Sequence, residues 1–144
     1  MTSLQIADQL RTNAVAIISL VVALSGLGYN TWRNEASEEN KNIREAGFFM
    51  MKELTSLQEV VLYARYDRND ERGDIKSGWS HVLAVKDISY AMPLDVQNTA
   101  LKLSEVWQQH ATGIAQDQAD SYQMIDKSID EVKQSIVIAI NALQ

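Results

Sequence analysis

Two histidines are the side chains of this sequence best suited to holding a cofactor. His110 falls on the apolar face of a predicted helix beside Trp107, and His81 shares a face with Val85 and Ile88. Inward histidines from facing helices of a bundle can ligate a haem iron. A haem-binding electron carrier is therefore one hypothesis. The simpler interpretation is that His110 is a partly buried polar residue and that His81 lies near solvent at a helix start.

Patterns for metal binding and hydrolysis are weaker still. A bundle site for two metal ions uses Glu-x-x-His, and neither histidine has a Glu three positions before it. Asp67, Asn69 and Glu71 alternate as calcium ligands do, but the glycine is misplaced and no bidentate Glu follows. We find no Gly-rich phosphate loop, Gly-x-Ser-x-Gly or His-Glu-x-x-His motif. We therefore predict that the protein is not an enzyme and has no cofactor or metal.

The overall composition indicates an acidic helical protein. The 144 residues include 13 Lys and Arg against 19 Asp and Glu, a formal net charge of −6. Such a chain, without a long basic stripe, is poorly suited to phosphate contacts, so we predict no nucleic-acid partner. Only one proline and six glycines interrupt it, which favours helices. The absence of cysteine says nothing about the redox compartment, since no disulfide is required here.

The region around residues 14–32 predicts a membrane anchor. No charged residue lies between Arg11 and Arg33, and a spanning helix needs roughly 20 residues. Tyr29 and Trp32 fall where aromatic rings meet the lipid–water boundary. We assign residues 1–33 to the anchor and 34–144 to an acidic helical-bundle domain. The predicted lipid-contacting residues are Ala14, Ile17, Ile18, Leu20, Val21, Val22, Leu24, Leu27, Tyr29 and Trp32.

Two other interpretations of this segment stay open. Ala23-Leu24-Ser25 is a small-x-small sequence like a signal-peptidase site, although Arg11 is offset by Asp8 and the preceding region is a poor positive one. The segment could also be the buried helix of a soluble protein. The retained anchor is the interpretation that best fits the aromatic and basic residues at its end.

The rest of the chain is typical of long amphipathic helices. We predict helices over 35–66, 79–90, from 96 to a stop at Gly113, and over 115–143, with an exposed loop at 67–78. Pro93 breaks the pattern, and Asp95 is placed to cap the helix that follows. The apolar positions recur at spacings of three and four, which defines one buried face on each helix. They are Ile43, Ala46, Met50, Leu54, Leu57, Val61 and Ala64, then Trp79, Val82, Leu83, Val85, Ile88 and Met92, then Val96, Ala100, Leu103 and Trp107, and finally Tyr122, Ile125, Ile129, Val132, Ile136 and Ala139.

Two all-α architectures fit these helices. In one, the two shorter helices stack end to end across Pro93 and form a three-layer antiparallel bundle with the two long helices. In the other, four antiparallel helices alternate in direction, and the last one returns towards the membrane. The similar lengths of the resulting layers, about 45 Å for 30 helical residues, favour the three-layer bundle.

Some apolar residues exceed what one buried face requires. They are Phe48, Phe49 and Met51 in the first long helix and Ile136, Val137, Ile138 and Ile140 in the last. A helix that is apolar on more than one side is buried on more than one side, by its own bundle or by a partner. We therefore predict that these residues form an interface with a protein partner or with a second copy. In the four-helix arrangement the last group could instead touch lipid headgroups.

The stretch AIISLVVALSGLGYNTWRNEASEENKNIREAG, residues 16–47, resembles the opening of small uncharacterised bacterial proteins. Those proteins combine one N-terminal membrane helix with a helical soluble domain. The resemblance implies a retained single-pass anchor in the bacterial inner membrane. It implies no activity and no functional residue.

The sidedness of the bundle follows from counting basic residues near the anchor. Arg11 precedes the apolar segment, whereas Arg33, Lys41 and Arg44 follow it. Loops rich in Lys and Arg stay in the cytoplasm, so the count favours a cytoplasmic bundle over a periplasmic one.

Three functional hypotheses remain. The first is a membrane-anchored accessory or scaffolding subunit, or a homo-oligomer, which acts by association with protein and lipid. The second is a sensor that holds a small molecule between helices near Trp79 or Trp107. The third is the haem carrier through His81 and His110. The first is preferred because the apolar surplus comes without any site chemistry.

Overall fold

The computed structural model describes residues 13–67, 72–116 and 118–143. These residues form four α-helices and no strand: α1 Ala14–Leu62, α2 Ile75–Ser89, α3 Leu94–Ala115 and α4 Ala119–Asn141. A π-helical turn, Tyr63–Asp67, follows α1. The all-α prediction is confirmed. The chain divides into two compact units between Glu39 and Asn40. The assignment of residues 1–33 to an anchor and 34–144 to a bundle domain stays a prediction.

The second unit is an antiparallel four-helix bundle. Contacts between α3 and α4 pair Thr99 with Ser135 and His110 with Ser121, so the two helices run in opposite directions. The same reversal holds around the bundle, and each helix packs against the next. The connecting contacts are Glu53–His81 for α1 and α2, Gly78–Trp107 for α2 and α3, Lys102–Glu131 for α3 and α4, and Gln58–Asp126 for α4 and α1.

The structure therefore has the four-helix arrangement and not the three-layer one that helix length favoured. The chain reverses at Tyr90–Pro93, where the amides of Ala91 and Met92 donate to the carbonyls of Ile88 and Ser89. Pro93 has no N–H to continue a helix, so α3 starts afresh beside α2. Side-by-side packing buries faces of α2 and α3 that an end-to-end stack would leave open.

The predicted core positions agree with the structure at nearly every point. From α1, the residues Ala46, Met50, Leu54, Leu57 and Val61 are buried, with Ile43 and Ala64 partly buried beside them. On α3 the predicted positions from Val96 to Trp107 are buried, and on α4 those from Ile125 to Ala139 are buried. Leu83 is an exception, because it is exposed on the outer face of α2.

The helices begin at other residues than predicted, and α4 begins at Ala119 instead of residue 115. The starts of α2 and α3 differ in their capping as well. The predicted loop over 67–78 ends sooner, because the Asp74 carboxylate accepts a hydrogen bond from the Lys76 amide at 3.1 Å and caps α2. At α3 the residue before the helix is Pro93, and Asp95 lies in the first turn without a capping hydrogen bond. Its charge there still complements the helix dipole. Gly113, predicted as a stop, lies inside α3, which continues to Ala115.

Candidate membrane segment and interaction surfaces

The side chains in the apolar N-terminal part of α1 are largely exposed. Of the predicted anchor residues, Ala14 is half-buried, and the nine others from Ile17 to Trp32 are exposed. Within the described part of the chain, this helix alone is long and apolar enough to cross a membrane. None of its most apolar 18-residue window is buried inside the chain. The alternative of a buried core helix therefore finds no support in the contacts of this segment.

An aromatic pair marks the C-terminal end of this segment. The rings of Tyr29 and Trp32 lie 6.2 Å apart at an angle of 46°. Both rings are exposed, and the first charged residue, Arg33, follows directly. Amphipathic rings next to a cation suit the headgroup level of a bilayer. A signal sequence has a similar length and composition, so retention of the segment belongs to the proposal below.

The predicted interface residues separate into two groups. Phe48 and Phe49 on α1 are 67% and 59% exposed, and Val137 and Ile138 on α4 are exposed as well. These residues can meet a partner. Val137 and Ile138 directly follow the buried Ile136 in the sequence, but they lie outside the buried face of α4.

Of the remaining three residues, only Ile136 has its prediction as a partner contact corrected, because it lies in the core, whereas for Met51 and Ile140 the contact stays a prediction. Ile136 is completely buried, and Ile140 and Met51 pack partly buried against the core. Gly47 makes room for the two isoleucines, since a Cβ at this position would lie 2.8 Å from Ile140 Cδ1 and 3.2 Å from Ile136 Cγ2. The two isoleucines fill the space that a side chain at Gly47 would occupy.

The two histidines do not face each other. His81 Nδ1 donates to Glu53 Oε2 of α1 at 2.7 Å, whereas His110 Nδ1 lies 3.4 Å from Ser121 Oγ at the start of α4. His81 lies three residues after Gly78 on α2, and His110 lies three residues after Trp107 on α3. Because Gly78 contacts Trp107 and the two helices are antiparallel, the two histidines are separated by six residues along the bundle axis. Six helical residues correspond to about 9 Å along the axis. The haem hypothesis needs both rings on one iron, and this geometry does not provide that.

The surroundings of Trp107 leave little room for a ligand. Its ring is completely buried, and a Cβ at Gly78 would overlap it. The indole Nε1 has no protein hydrogen-bond partner there. Trp79 is only half-buried at the edge of the same core. The sensor hypothesis placed its ligand at these two tryptophans, and at Trp107 the packing is tight.

An apolar groove lies at the other end of the bundle, where α3 begins and α4 ends. Its volume is about 270 Å³. Asp95 and Ser135 are its polar lining residues. Its apolar walls are formed by Pro93, Val96, Ile138, Ala139, Ala142 and Leu143.

The calcium pattern cannot be followed through the structure, because Asn69 and Glu71 lie outside the described residues. Among the residues that are described, no group of three His, Asp or Glu side chains is arranged to hold a metal ion.

A polar cluster between α1 and α4 has no counterpart in the sequence predictions. Gln58 donates to Asp126 Oδ1 at 3.2 Å and accepts from Lys133 Nζ at 2.6 Å. Nearby, the Tyr66 and Tyr122 rings meet edge to face at 6.1 Å. Burial, and then the Asp126 carboxylate, raise the pKa of the Tyr122 hydroxyl above its usual value of 10.0. The sequence predictions used the spacing of apolar residues, and Gln58 is polar, so this cluster could not be predicted from that spacing.

Fold and surfaces together define a class: an antiparallel four-helix bundle preceded in sequence by a helix able to span a membrane. Comparison with protein-family models, with curated proteins and with solved structures found no match to this chain. The function is therefore argued from its own residues.

Proposed function

We propose that this protein is a membrane-anchored interaction protein, an accessory or scaffolding subunit of an inner-membrane complex or a homo-oligomer. The observation that carries the proposal is the exposed pair Phe48–Phe49. The two rings lie on the outer side of α1, between the buried residues Gly47 and Met50. The bundle core is complete without them.

The energetics explain why such a pair indicates a partner. Apolar surface removed from water contributes about 25 cal/mol per Å², and aromatic residues bury large areas. Aromatic residues are also enriched at the centres of protein interfaces, which polar rims surround. Arg44 and Lys52 lie one turn before and after the pair and supply such a rim.

The anchor is the second part of the proposal. Residues 14–32 remain in the inner membrane, and the bundle lies in the cytoplasm because Arg33, Lys41 and Arg44 follow the apolar segment. The chain has no cysteine, so Lys76→Cys gives a single exposed label site at the start of α2. In intact cells this cysteine should resist an impermeant maleimide and should react after lysis. Labelling in intact cells would instead place the bundle in the periplasm.

The partner is tested at natural abundance. The protein is solubilised in a mild detergent and sized, and the proteins of the same fraction are quantified by mass spectrometry. We expect a species larger than one 16.2 kDa chain with its detergent, containing a fixed ratio of a second protein or of further copies. A lone, monomeric chain would contradict the proposal.

Paired variants localise the contact. Phe48→Ser with Phe49→Ser should reduce the complex to the single chain and leave the unfolding temperature unchanged, because neither ring belongs to the core. Leu83→Ser is the matched control, an exposed apolar residue on α2. It should leave the complex intact. Equal loss in both variants would mean that Phe48 and Phe49 are not the contact.

A further inference from the structure

The end of the bundle where α3 begins differs from the rest of its surface. We call it the Pro93 end, defined by residues 40–52, 85–98 and 134–143. These segments lie at one end because Gly47 contacts Ile136 and Ile140, and because the apolar groove joins Pro93 to the last turns of α4.

The first distinguishing feature of the Pro93 end is protruding apolar surface. Tyr90, Leu94 and Ile138 are 68%, 67% and 61% exposed, and they come from the α2–α3 turn, α3 and α4. The groove between α3 and α4 adds an apolar recess of about 270 Å³. A single exposed leucine is ordinary, whereas large exposed apolar residues from several elements at one end of a bundle mark an interaction surface.

The second feature is charge. The Pro93 end carries four basic and three acidic residues, and its α4 segment carries none. The remaining described bundle residues carry six basic and nine acidic ones. The rest of the bundle therefore has a net negative charge, which an anionic surface repels, whereas this end does not.

The third feature is the course of the chain. The polypeptide enters the bundle at the Pro93 end, and Ala46 is its first buried core residue. This end is thus the part of the bundle nearest along the sequence to the apolar segment. A tethered surface meets its target at a high effective concentration, so even weak contacts become occupied.

We infer that the Pro93 end docks on the surface of the lipid bilayer, with Tyr90, Leu94 and Ile138 inserted at headgroup level. The inference rests on the proposed anchoring and adds a second membrane contact made by the bundle itself. Apolar side chains of interfacial elements enter the headgroup–acyl boundary by about 5–10 Å. Phe48 and Phe49 lie on the α1 segment of the Pro93 end, and the inference assigns the lipid contact to Tyr90, Leu94 and Ile138.

Single cysteines in the full chain test the inference. Leu94→Cys and Ile138→Cys are labelled with an environment-sensitive fluorophore in protein reconstituted into phosphatidylcholine vesicles with a minority of phosphatidylglycerol. Lipids with quenchers at several depths then report position. Both labels should be quenched, at a depth of about 5–10 Å into the headgroup–acyl boundary. A label on Met124→Cys, an exposed residue of the acidic part of α4, should not be quenched.

A label on Leu24→Cys separates failure of this inference from failure of the anchor. If Leu24 is quenched and positions 94 and 138 are not, the anchor stands and the docking inference is overturned. If none of the three is quenched, both fall. If labels at 94 and 138 are shielded from lipid and aqueous quenchers alike, and dilution in lipid removes the shielding, a second copy covers this end and the inference is again overturned.

A charge insertion gives the matched comparison. With a reporter at Tyr90→Cys, the combined change of Leu94→Glu and Ile138→Glu should abolish quenching, because charged groups resist entry into the interface. Met124→Glu should leave it unchanged. All three positions are exposed, so the unfolding temperature should stay constant and confirm that the bundle is folded. Undiminished quenching in the double Glu variant would contradict docking.

Discussion

The two halves of α1 are both rich in apolar residues, yet they meet different surroundings. From Ile17 to Trp32 the apolar side chains are exposed, and they occur on all sides of the helix. From Ala46 to Val61 the apolar side chains that recur at three and four positions are buried by the bundle, and Phe48 and Phe49 lie outside this stripe. Distribution around the helix therefore distinguishes the halves. An all-round apolar surface suits lipid, and a single stripe suits a protein core.

The comparison also explains what each half tolerates. In the core half, each side chain has fixed neighbours, so a lost methyl group leaves a cavity or a gap in contacts. In the exposed half, fluid lipid would adapt to the same change. Paired substitutions in the two halves therefore separate the two roles.

The largest difference is expected for leucine truncation. Leu54→Ala removes a completely buried side chain and should lower the free energy of unfolding of the bundle by about 2–5 kcal/mol. Leu24→Ala should leave it unchanged, because that side chain has no place in the core. Urea titration of both variants in the same detergent, followed by circular dichroism, measures the difference. Similar losses would show that the exposed half contributes to the fold of the bundle.

Glycine substitution sharpens the comparison further. A Cβ at Gly78 would overlap the Trp107 ring, so Gly78→Ala should destabilise the bundle by about 1–3 kcal/mol through overpacking. Gly28→Ala meets no atom within 4 Å and should leave bundle unfolding unchanged. Thermal unfolding of the two variants checks this. A Gly78→Ala variant as stable as the parent would mean that Trp107 can move aside.

A smaller effect is expected at the polar contact of α1 with α4. Gln58→Ala removes the hydrogen bonds to Asp126 and Lys133 and should cost about 0.5–1.5 kcal/mol. The exposed neighbour Glu59 serves as the control, and Glu59→Ala should change stability little. Equal urea midpoints for the two variants would show that the cluster is not a stabilising contact.

The smallest effect is a pH dependence at Tyr122. Its raised pKa means that the folded bundle holds this proton more tightly than the unfolded chain does. Stability from this group is therefore full below pH 10.0, the unfolded value, and is lost as the pH rises through the higher folded pKa. Tyr122→Phe should make unfolding less sensitive to pH in that range. An identical pH profile in the variant would refute the assignment.

Much of the fold could be predicted because each helix repeats its buried positions at three and four. The choice between a three-layer bundle and a four-helix bundle could not be predicted, because Pro93 is compatible with helices stacked end to end and with a reversal of the chain. What decides it is the close fit of Gly78 to Trp107, a contact 29 positions apart that periodicity does not encode.

The candidate surfaces show the same limit. Phe48 and Phe49 stand out in the sequence as surplus apolar residues and are exposed. Ile136 and Ile140 gave the same signal, yet Gly47 provides the space in which they pack. The histidine pair fails for a similar reason, because helix face alone does not set the height at which two side chains meet.

The central claim is that residues 14–32 lie in a bilayer while the bundle folds on its own core. Its most direct measurement is the fraction of the chain that stays in the membrane pellet after an alkaline wash. We expect nearly complete retention. Val22→Arg, which adds about 2.5–3.5 kcal/mol to insertion at the helix centre, should reduce retention, whereas Leu83→Arg on the exposed face of α2 should not. Release of the unaltered chain into the supernatant would contradict the account.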